Sequence, residues 1–466
     1  MNAEFVQSIH NFFNNSVDFE VKEREVAGVP AVLCYYTTLI DTALADRHLE
    51  SLEKRAMAGS EKWGNSATSS AEAFSEEKLA EQVCTGNLVI VFPETNMMLG
   101  IQVNNAPKRS PEEPKNETVV RGAHEGFVES ITDNVAMVRK RLQRKDLVME
   151  SFRMENTHAH INILYLADAI DPDVLAQIRQ RIRDIPYREF YSMGQTEDYL
   201  EDQVYSPFPL FLNTERPDRV IYSLLEGKAA LLTDSSPTSI ITPTNFFAFY
   251  ESPDDYNSRI IVGSFYRIVR VVAFFTAILL PAFYISIISF HSEIMPIELA
   301  KTVKMQINDI PYRPLLEALI LELFIELIRE ASVRLPQPIG QTVGIVGGIV
   351  IGDAIVSAGL ASNLMVIVVA MTAIASFVIP SAEMNMAVRL IRFPFMLLSA
   401  ALGFLGMVLG TLFLFIHLLN LSSLGQPYLS PLVPFDPSRF KDVFFRVPFY
   451  RPDKQQQTFN HGGKRS

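Results

Sequence analysis

The pattern of apolar and polar positions changes character near residue 258. Before it, short apolar runs alternate with charged and turn-forming stretches; after it, long apolar runs dominate. Phe5, Val6, Ile9, Phe12 and Phe13 fall at helical spacing, and residues 86–92 form a short β-rich run bounded by turn residues. The same reading predicts helices over 125–145 and 172–185, a strand over 159–165, and a hairpin over 224–232 turning at Gly227. Gly59-Ser60-Glu61 and Gly64-Asn65-Ser66 mark a polar loop. The proline- and charge-rich stretch 106–114 reads as a linker between two subdomains.

Residues 271–290 form an uncharged, mostly apolar run of about the twenty residues needed to cross a hydrocarbon core. Residues 341–360, 364–379 and 395–419 are further candidate spans, punctuated by Pro336-Gln337-Pro338, Pro380-Ser381 and Pro394. The predicted organisation is an α/β subdomain over 1–118, a second over 119–258, a transmembrane helical domain over 259–420 and a tail over 421–466. The fold class is an α+β two-part cytoplasmic N-terminal domain followed by an all-α polytopic transmembrane domain.

Topology rests on the basic residues. Arg267 and Arg270 precede the first span, and Arg389 and Arg392 lie between the last two; the positive-inside bias puts both pairs in the cytoplasm. An even number of crossings then separates them, which requires residues 315–330 as an extra span. That helix carries Glu322, Glu326 and Glu330 within an arc of about 80°, while Leu319, Ile320, Leu323, Phe324, Leu327 and Ile328 cover much of the rest. Naked charges at mid-bilayer cost a few kcal/mol or more each, so the stripe must be compensated, with Arg329 and Arg334 at pairing distance along the helix. Two readings stay open: an amphipathic helix in the interface, and a water-facing helix lining a conduit. Beyond residue 419, Arg439, Lys441, Arg446, Arg451 and Lys454 argue for the cytoplasm, whereas five crossings would put the tail outside. A re-entrant stretch over 421–435 would reconcile them.

Gly344, Gly348 and Gly352 form a GxxxGxxxG ladder on one helix face, a pattern that predicts close helix packing. Asp353 follows near mid-span, on another face with Ile349, Val346, Val356 and Ser357. An ionisable residue there faces either a helix interface, protonated or hydrogen-bonded, or a pore. Asp353, Ile349, Val356, Ser357, Glu322, Glu326 and Glu330 are therefore the candidate ion-pathway residues.

Composition sharpens this picture. The chain is 48% hydrophobic and 20% charged, with a net charge of −11 and a mean hydropathy of +0.16. Those values coexist because the charges gather in the first half. The acidic balance argues against a nucleic-acid partner, which needs a basic surface. Cys34 and Cys84 are too few for a disulfide framework and read as reduced residues. No basic region followed by an apolar run opens the chain, so the N-terminal half is expected to stay cytoplasmic. The basic run Arg139-Lys140-Arg141 with Arg144-Lys145 suits a helix C-terminus; contact with anionic lipid or another subunit is the alternative. His158 and His160 alternate on a strand, but without a third ligand they read as a surface pair. No cofactor, metal or enzymatic constellation is expected, and no pair of related membrane halves supports a carrier.

Several segments resemble the A subunit of the GerA-type nutrient germinant receptors of spore-forming bacteria. They include Leu316-Glu317-Ala318-Leu319-Ile320, Leu327-Ile328-Arg329-Glu330-Ala331-Ser332-Val333-Arg334-Leu335-Pro336 and Pro338-Ile339-Gly340-Gln341-Thr342-Val343. Met365-Val366-Ile367-Val368-Val369-Ala370 and, upstream, Thr214-Glu215-Arg216-Pro217-Asp218 extend the likeness over most of the chain. The resemblance implies an inner spore-membrane protein working with a transporter-like B subunit, which binds the germinant, and a lipoprotein C subunit. It implies a homo-oligomeric channel for monovalent cations in contact with membrane lipid. Many relatives carry Gln where Asp353 stands, so pore properties do not transfer simply. A non-conducting scaffold of germination proteins and a secondary transporter are the competing readings.

Overall fold

A computed structural model describes residues 3–26, 28–57, 69–103, 113–114, 117, 119, 121–153, 160–185, 193–298, 300–301 and 310–445. The loop at Gly59 and Gly64, most of the 106–114 linker, His158, and Arg446, Arg451 and Lys454 lie outside these. The chain forms two compact units, Met1–Asn245 with Asn420–Tyr428, and Phe246–Leu419 with Leu429–Ser466.

The first unit is α+β and repeats one design twice. Its first part runs α1 (Ala3–Phe12), β1 (Phe19–Val26), β2 (Val29–Tyr36), α2 (Thr42–Met57), β3 (Ser69–Ala73), α3 (Glu76–Cys84), β4 (Asn87–Phe92) and β5 (Met97–Gln102). Its second runs α4 (Ile131–Arg141), β6 (Leu147–Arg153), β7 (His160–Leu166), α5 (Pro172–Asp184), α6 (Met193–Leu200), β8 (Leu212–Thr214), α7 (Pro217–Leu225), β9 (Ala229–Thr233) and β10 (Ser239–Thr242). Each part builds a five-stranded antiparallel sheet, ordered β1-β2-β4-β5-β3 and β6-β7-β9-β10-β8. Counted from its own first strand, the order is the same in both.

Residue details match as well. Thr37 N–H donates to Asp18 O at 2.8 Å, and Ala167 N–H to Asp146 O at 2.9 Å. Asp41 and Asp171 then accept from the first turns of α2 and α5, at Leu44 N (3.1 Å) and Asp173 N (2.9 Å). Leu79 and Val83 of α3, like Val220 and Leu224 of α7, are fully buried one turn apart. Each of these helices ends at a left-handed glycine, Gly86 (φ 87°) and Gly227 (φ 82°), which reverses the chain into a central strand.

Both faces of the first sheet are covered. Val89 and Val91 of β4 pack with Ile9, Phe13, Leu79 and Val83, while Leu88 and Ile90 pack with Ala45 and Leu49. Cys34 and Cys84 are free thiols in this core, and burial pushes Cys84 up to about 11.

Two expectations change here. The hairpin over 224–232 is instead helix, turn and strand: a continuous apolar run carries no periodicity to separate the two. A Cβ at Gly227 would meet Ala169 O at 2.5 Å. The helix over 125–145 begins only at Ile131, where the Ser130 hydroxyl accepts from Asp133 N–H. Within its basic run Arg139 is buried, not a solvent-facing dipole partner. It donates to both Asp18 carboxylate oxygens at 2.6 Å, to Ser16 Oγ at 3.0 Å and to Leu147 O at 3.1 Å, joining the two repeats.

The second unit is helical: α8 (Pro253–Asn257), α9 (Ile260–Phe290), α10 (Pro314–Arg334), α11 (Gln337–Ser357), α12 (Asn363–Phe377), α13 (Ala382–Leu402), α14 (Phe404–Asn420) and α15 (Pro437–Phe444). Among the described residues, α9 and α13 are long and apolar enough to cross a membrane; Gly347–Ser357, α12 and α14 are shorter apolar helices. The span predicted over 395–419 is two helices, broken at Gly403 (φ +60°), where a Cβ would meet the Phe290 ring at 3.2 Å. Arg267 and Arg270 lie inside α9, facing Asp255 Oδ2 at 3.4 and 2.5 Å.

After α14 the chain returns to the first unit as a short hairpin of β11 (Ser422–Ser423) and β12 (Gln426–Pro427), in place of the re-entrant stretch predicted from residue 421. Ser422 Oγ donates to Asp202 Oδ2 at 2.5 Å, and Gly425 N–H to the same oxygen at 3.1 Å. Ser423 Oγ donates to Leu210 O (2.8 Å), Tyr428 Oη to Pro209 O (2.8 Å) and Gln203 Nε2 to Asn420 O (3.0 Å). Burial alone would raise the Asp202 pKa; hydrogen bonds from Ser422, Arg181 and Gly425 N–H outweigh it and hold the carboxyl below its ordinary range.

Candidate functional site

Spacing by four puts Glu322, Glu326 and Glu330 on one stripe of α10, and the structure gives each an arginine. Glu322 pairs with Arg392 of α13; both side chains are 2% exposed or less. Glu326 accepts from Arg389 Nη1 at 2.6 Å and lies 3.6 Å from Arg329 Nη1. Glu330 pairs with Arg334 at 2.5 Å on the exposed end of the helix. Arg389 and Arg392 are thus interior residues of α13 and not loop arginines between spans, which removes the parity inference built on them. The positive-inside bias weighs charge near helix ends and is blind to carboxylates on another helix.

Arg392 does a second job. Pro281 lies within α9 and has no N–H, so the carbonyl four residues earlier, Ala277 O, loses its helical donor. Arg392 Nε supplies one at 2.9 Å. One guanidinium therefore satisfies a helix defect in α9 and a buried carboxylate in α10. A second buried node centres on Glu317, which is 1% exposed and accepts from the Ser362 hydroxyl at 2.6 Å. Tyr284 Oη lies 3.3 Å from Ser362 Oγ, which also caps α12 by accepting from Met365 N–H at 3.1 Å. The Ser before the apolar run of α12 is the only sequence signal for this node.

Helix α11 behaves differently. Gly340, outside the ladder, is the glycine at the close crossing of α10, where a Cβ would lie 2.6 Å from Ser332 O. In the ladder, Gly344 has Ser332 Oγ at 3.5 Å, while Gly348 and Gly352 have nothing within 4 Å. Within its own chain, and among the described residues, the ladder at Gly348 and Gly352 packs against nothing. Ile349 is 68% exposed, Asp353 and Ser357 are exposed and Val356 is half-buried. Asp353 makes no hydrogen bond or ion pair among the described residues and is not brought into the network of Glu322, Glu326 and Glu330. No cluster of three metal-ligating side chains occurs among the described residues; His160 lies near Ser151 Oγ (3.3 Å).

An α+β tandem unit joined to a helical unit with a buried arginine–glutamate network is the arrangement to be placed. The model of the Bacillus/Clostridium GerA spore germination protein family matches residues 7–458, and the chain belongs to that family. It is 38% identical to spore germination protein KA of Bacillus subtilis, over 83% of this chain and 72% of that protein. It is 35% identical to spore germination protein GerQA of Bacillus cereus, over 98% and 94%. It is 38% identical to the uncharacterized membrane protein YfkQ of Bacillus subtilis, over 85% and 78%. The crystal structure of the N-terminal domain of the A subunit of the Bacillus megaterium spore germinant receptor GerK3 compares at a TM-score of 0.40 and 24% identity, over 53% of this chain and 96% of that one.

Proposed function

We propose that this chain is the A subunit of a spore nutrient germinant receptor, and that several copies assemble in the inner spore membrane into a cation-conducting channel. A transporter-like B subunit and a lipoprotein C subunit complete the receptor. The observation that carries this reading is the bare face of α11. Asp353, Ile349 and Ser357 are exposed on an otherwise apolar helix, and Gly348 and Gly352 leave room beside them. A carboxylate on lipid would cost several kcal/mol, on the order of the insertion penalty for charged side chains. Convergence of copies on a central axis gives it water and monovalent cations instead, as acidic rings do in cation channels.

The return of the chain supports a single sidedness for the soluble unit. The helical segment leaves that unit after Asn245 and rejoins it at Asn420. Its two ends therefore share one side of the membrane, and the crossings between them are even in number. In this reading that side is the cytoplasm.

The test is potassium efflux from spores exposed to nutrient, with protein level checked by immunoblot. Asp353→Asn is expected to slow efflux with the fold intact, and Asp353→Lys to abolish it or prevent assembly. Normal efflux from an Asp353→Lys protein at normal level would overturn the pore role and leave a non-conducting scaffold.

A further inference from the structure

The arginine–glutamate network of the helical unit does not balance. Among the described residues, the carboxylates that pair with Arg329, Arg389 and Arg392 are Glu322 and Glu326, since Glu330 is occupied at the exposed end by Arg334. One positive charge is left over. The hydrogen bonding is uneven in the same sense. Arg329 Nε and Nη1, Arg389 Nε and Arg392 Nη2 are buried without an acceptor, against two buried acceptors without a donor, Glu322 Oε1 and Asn385 Oδ1. Arg329 Nη1 comes only to 3.6 Å from Glu326, and its guanidinium lies 4.5 Å from the centre of the Phe377 ring. Arg392 is 2% exposed, while Arg329 and Arg389 are 16% and 17% exposed along their side chains.

We infer that this cluster, formed by α10, α12 and α13 against Ala277 of α9, binds a single monoanion. Water can bridge the two lone acceptors to neighbouring N–H groups, but it cannot remove the surplus charge. An unpaired charge in an apolar helical unit is among the most costly arrangements in a fold. A singly charged anion removes it and accepts from the arginines at once. Arginine suits this role because it stays charged and offers several donors in a fixed fork. The partly open rim at Arg329 and Arg389 admits two sources of the same chemistry, a small free anion such as chloride and the phosphodiester of an anionic lipid headgroup. The site is structural and does not depend on conduction through α11.

Charge counting supplies the test. The full-length protein in non-ionic detergent is heated in chloride and in gluconate at equal ionic strength, then in gluconate with added phosphatidylglycerol or phosphatidylcholine. The wild type is expected to melt higher with chloride or phosphatidylglycerol than with gluconate or phosphatidylcholine. A response to chloride alone identifies a free ion as the occupant, and a response to phosphatidylglycerol alone identifies the lipid. Arg329→Gln brings the count to zero and is expected to abolish the difference without lowering the melting temperature in gluconate. Glu326→Gln raises the surplus to two and is expected to enlarge the difference. A wild type indifferent to all four conditions overturns the inference. So does an Arg329→Gln protein that keeps the full anion response.

Discussion

Removing the Asp202 carboxylate is expected to release the hairpin Asn420–Tyr428 from the first unit while the rest of that unit stays folded. In the wild type Asp202 accepts from Ser422 Oγ and Gly425 N–H and pairs with Arg181, with only 13% of its side chain exposed. Hydrogen bonds to a charged acceptor contribute about 1.5–3 kcal/mol each, and part of the loss in Asp202→Asn is recovered by the amide oxygen. The partly buried pairing with Arg181, 26% exposed, is kept in part through the same amide oxygen and is counted within that range. A net loss of about 2–4 kcal/mol in the local docking equilibrium is the result, which is about a 30- to 900-fold rise in opening.

The assay is hydrogen exchange of peptides covering 420–428, corrected for intrinsic rates. The pH dependence has a definite sign. A carboxyl whose folded pKa is depressed contributes fully above its unfolded value of about 3.9 and loses that contribution as pH falls through the folded value. Wild-type protection should therefore fall as the pH is lowered below about 4, and protection in Asp202→Asn should be low throughout and nearly flat. Exchange in the variant equal to wild type at pH 7 would refute the reasoning, because the remaining contacts of Ser423, Tyr428 and Gln203 would then suffice.

Two further outcomes bear on the repeats and the ladder. Arg139→Met leaves the Asp18 carboxylate, 1% exposed, buried and unpaired; a loss of about 3–5 kcal/mol is expected in thermal or denaturant unfolding. The Arg139→Met, Asp18→Asn double variant should recover much of it, and a single-variant loss below about 1 kcal/mol would show the clamp to be dispensable. Gly348→Leu has open space in its own chain, so its monomer should melt as the wild type does while native gels show loss of the oligomer. An unchanged oligomer would mean that this face meets lipid.

The sequence reads well where one residue type carries one meaning. Long apolar runs mark the helices of the second unit, and short β-rich apolar runs mark β4 and β7. It reads poorly where a residue's meaning is set by something distant. Nothing local breaks the apolar run over 395–419, because the left-handed Gly403 is indistinguishable in sequence from any small residue. Arg389 and Arg392 read as cytoplasmic markers until Glu322 and Glu326 are seen beside them. Arg139 hides within a basic run, and its partner Asp18 lies far back in the chain. The acidic stripe and its need for compensation are legible at 100° per residue, but the identity of the partners is not. The repeat escapes notice because the two copies share placements of Asp and Gly more than long identical runs.

The copies differ most between their second helix and third strand. From Asp171 to Leu212 the second copy carries a longer excursion than the first does from Asp41 to Ser69, and α6 lies within it. Asp202, Gln203, Pro209 and Leu210, the groups that hold the returning hairpin, all lie in that excursion. A duplicated module thus became asymmetric at the place where the chain comes home. A recombinant soluble fragment ending at Asn245 would lack its own last piece, with Asp202 and the Thr244 N–H that meets Ser423 Oγ left to solvent. Grafting residues 420–428 behind a short linker after Asn245 should give the better-behaved fragment.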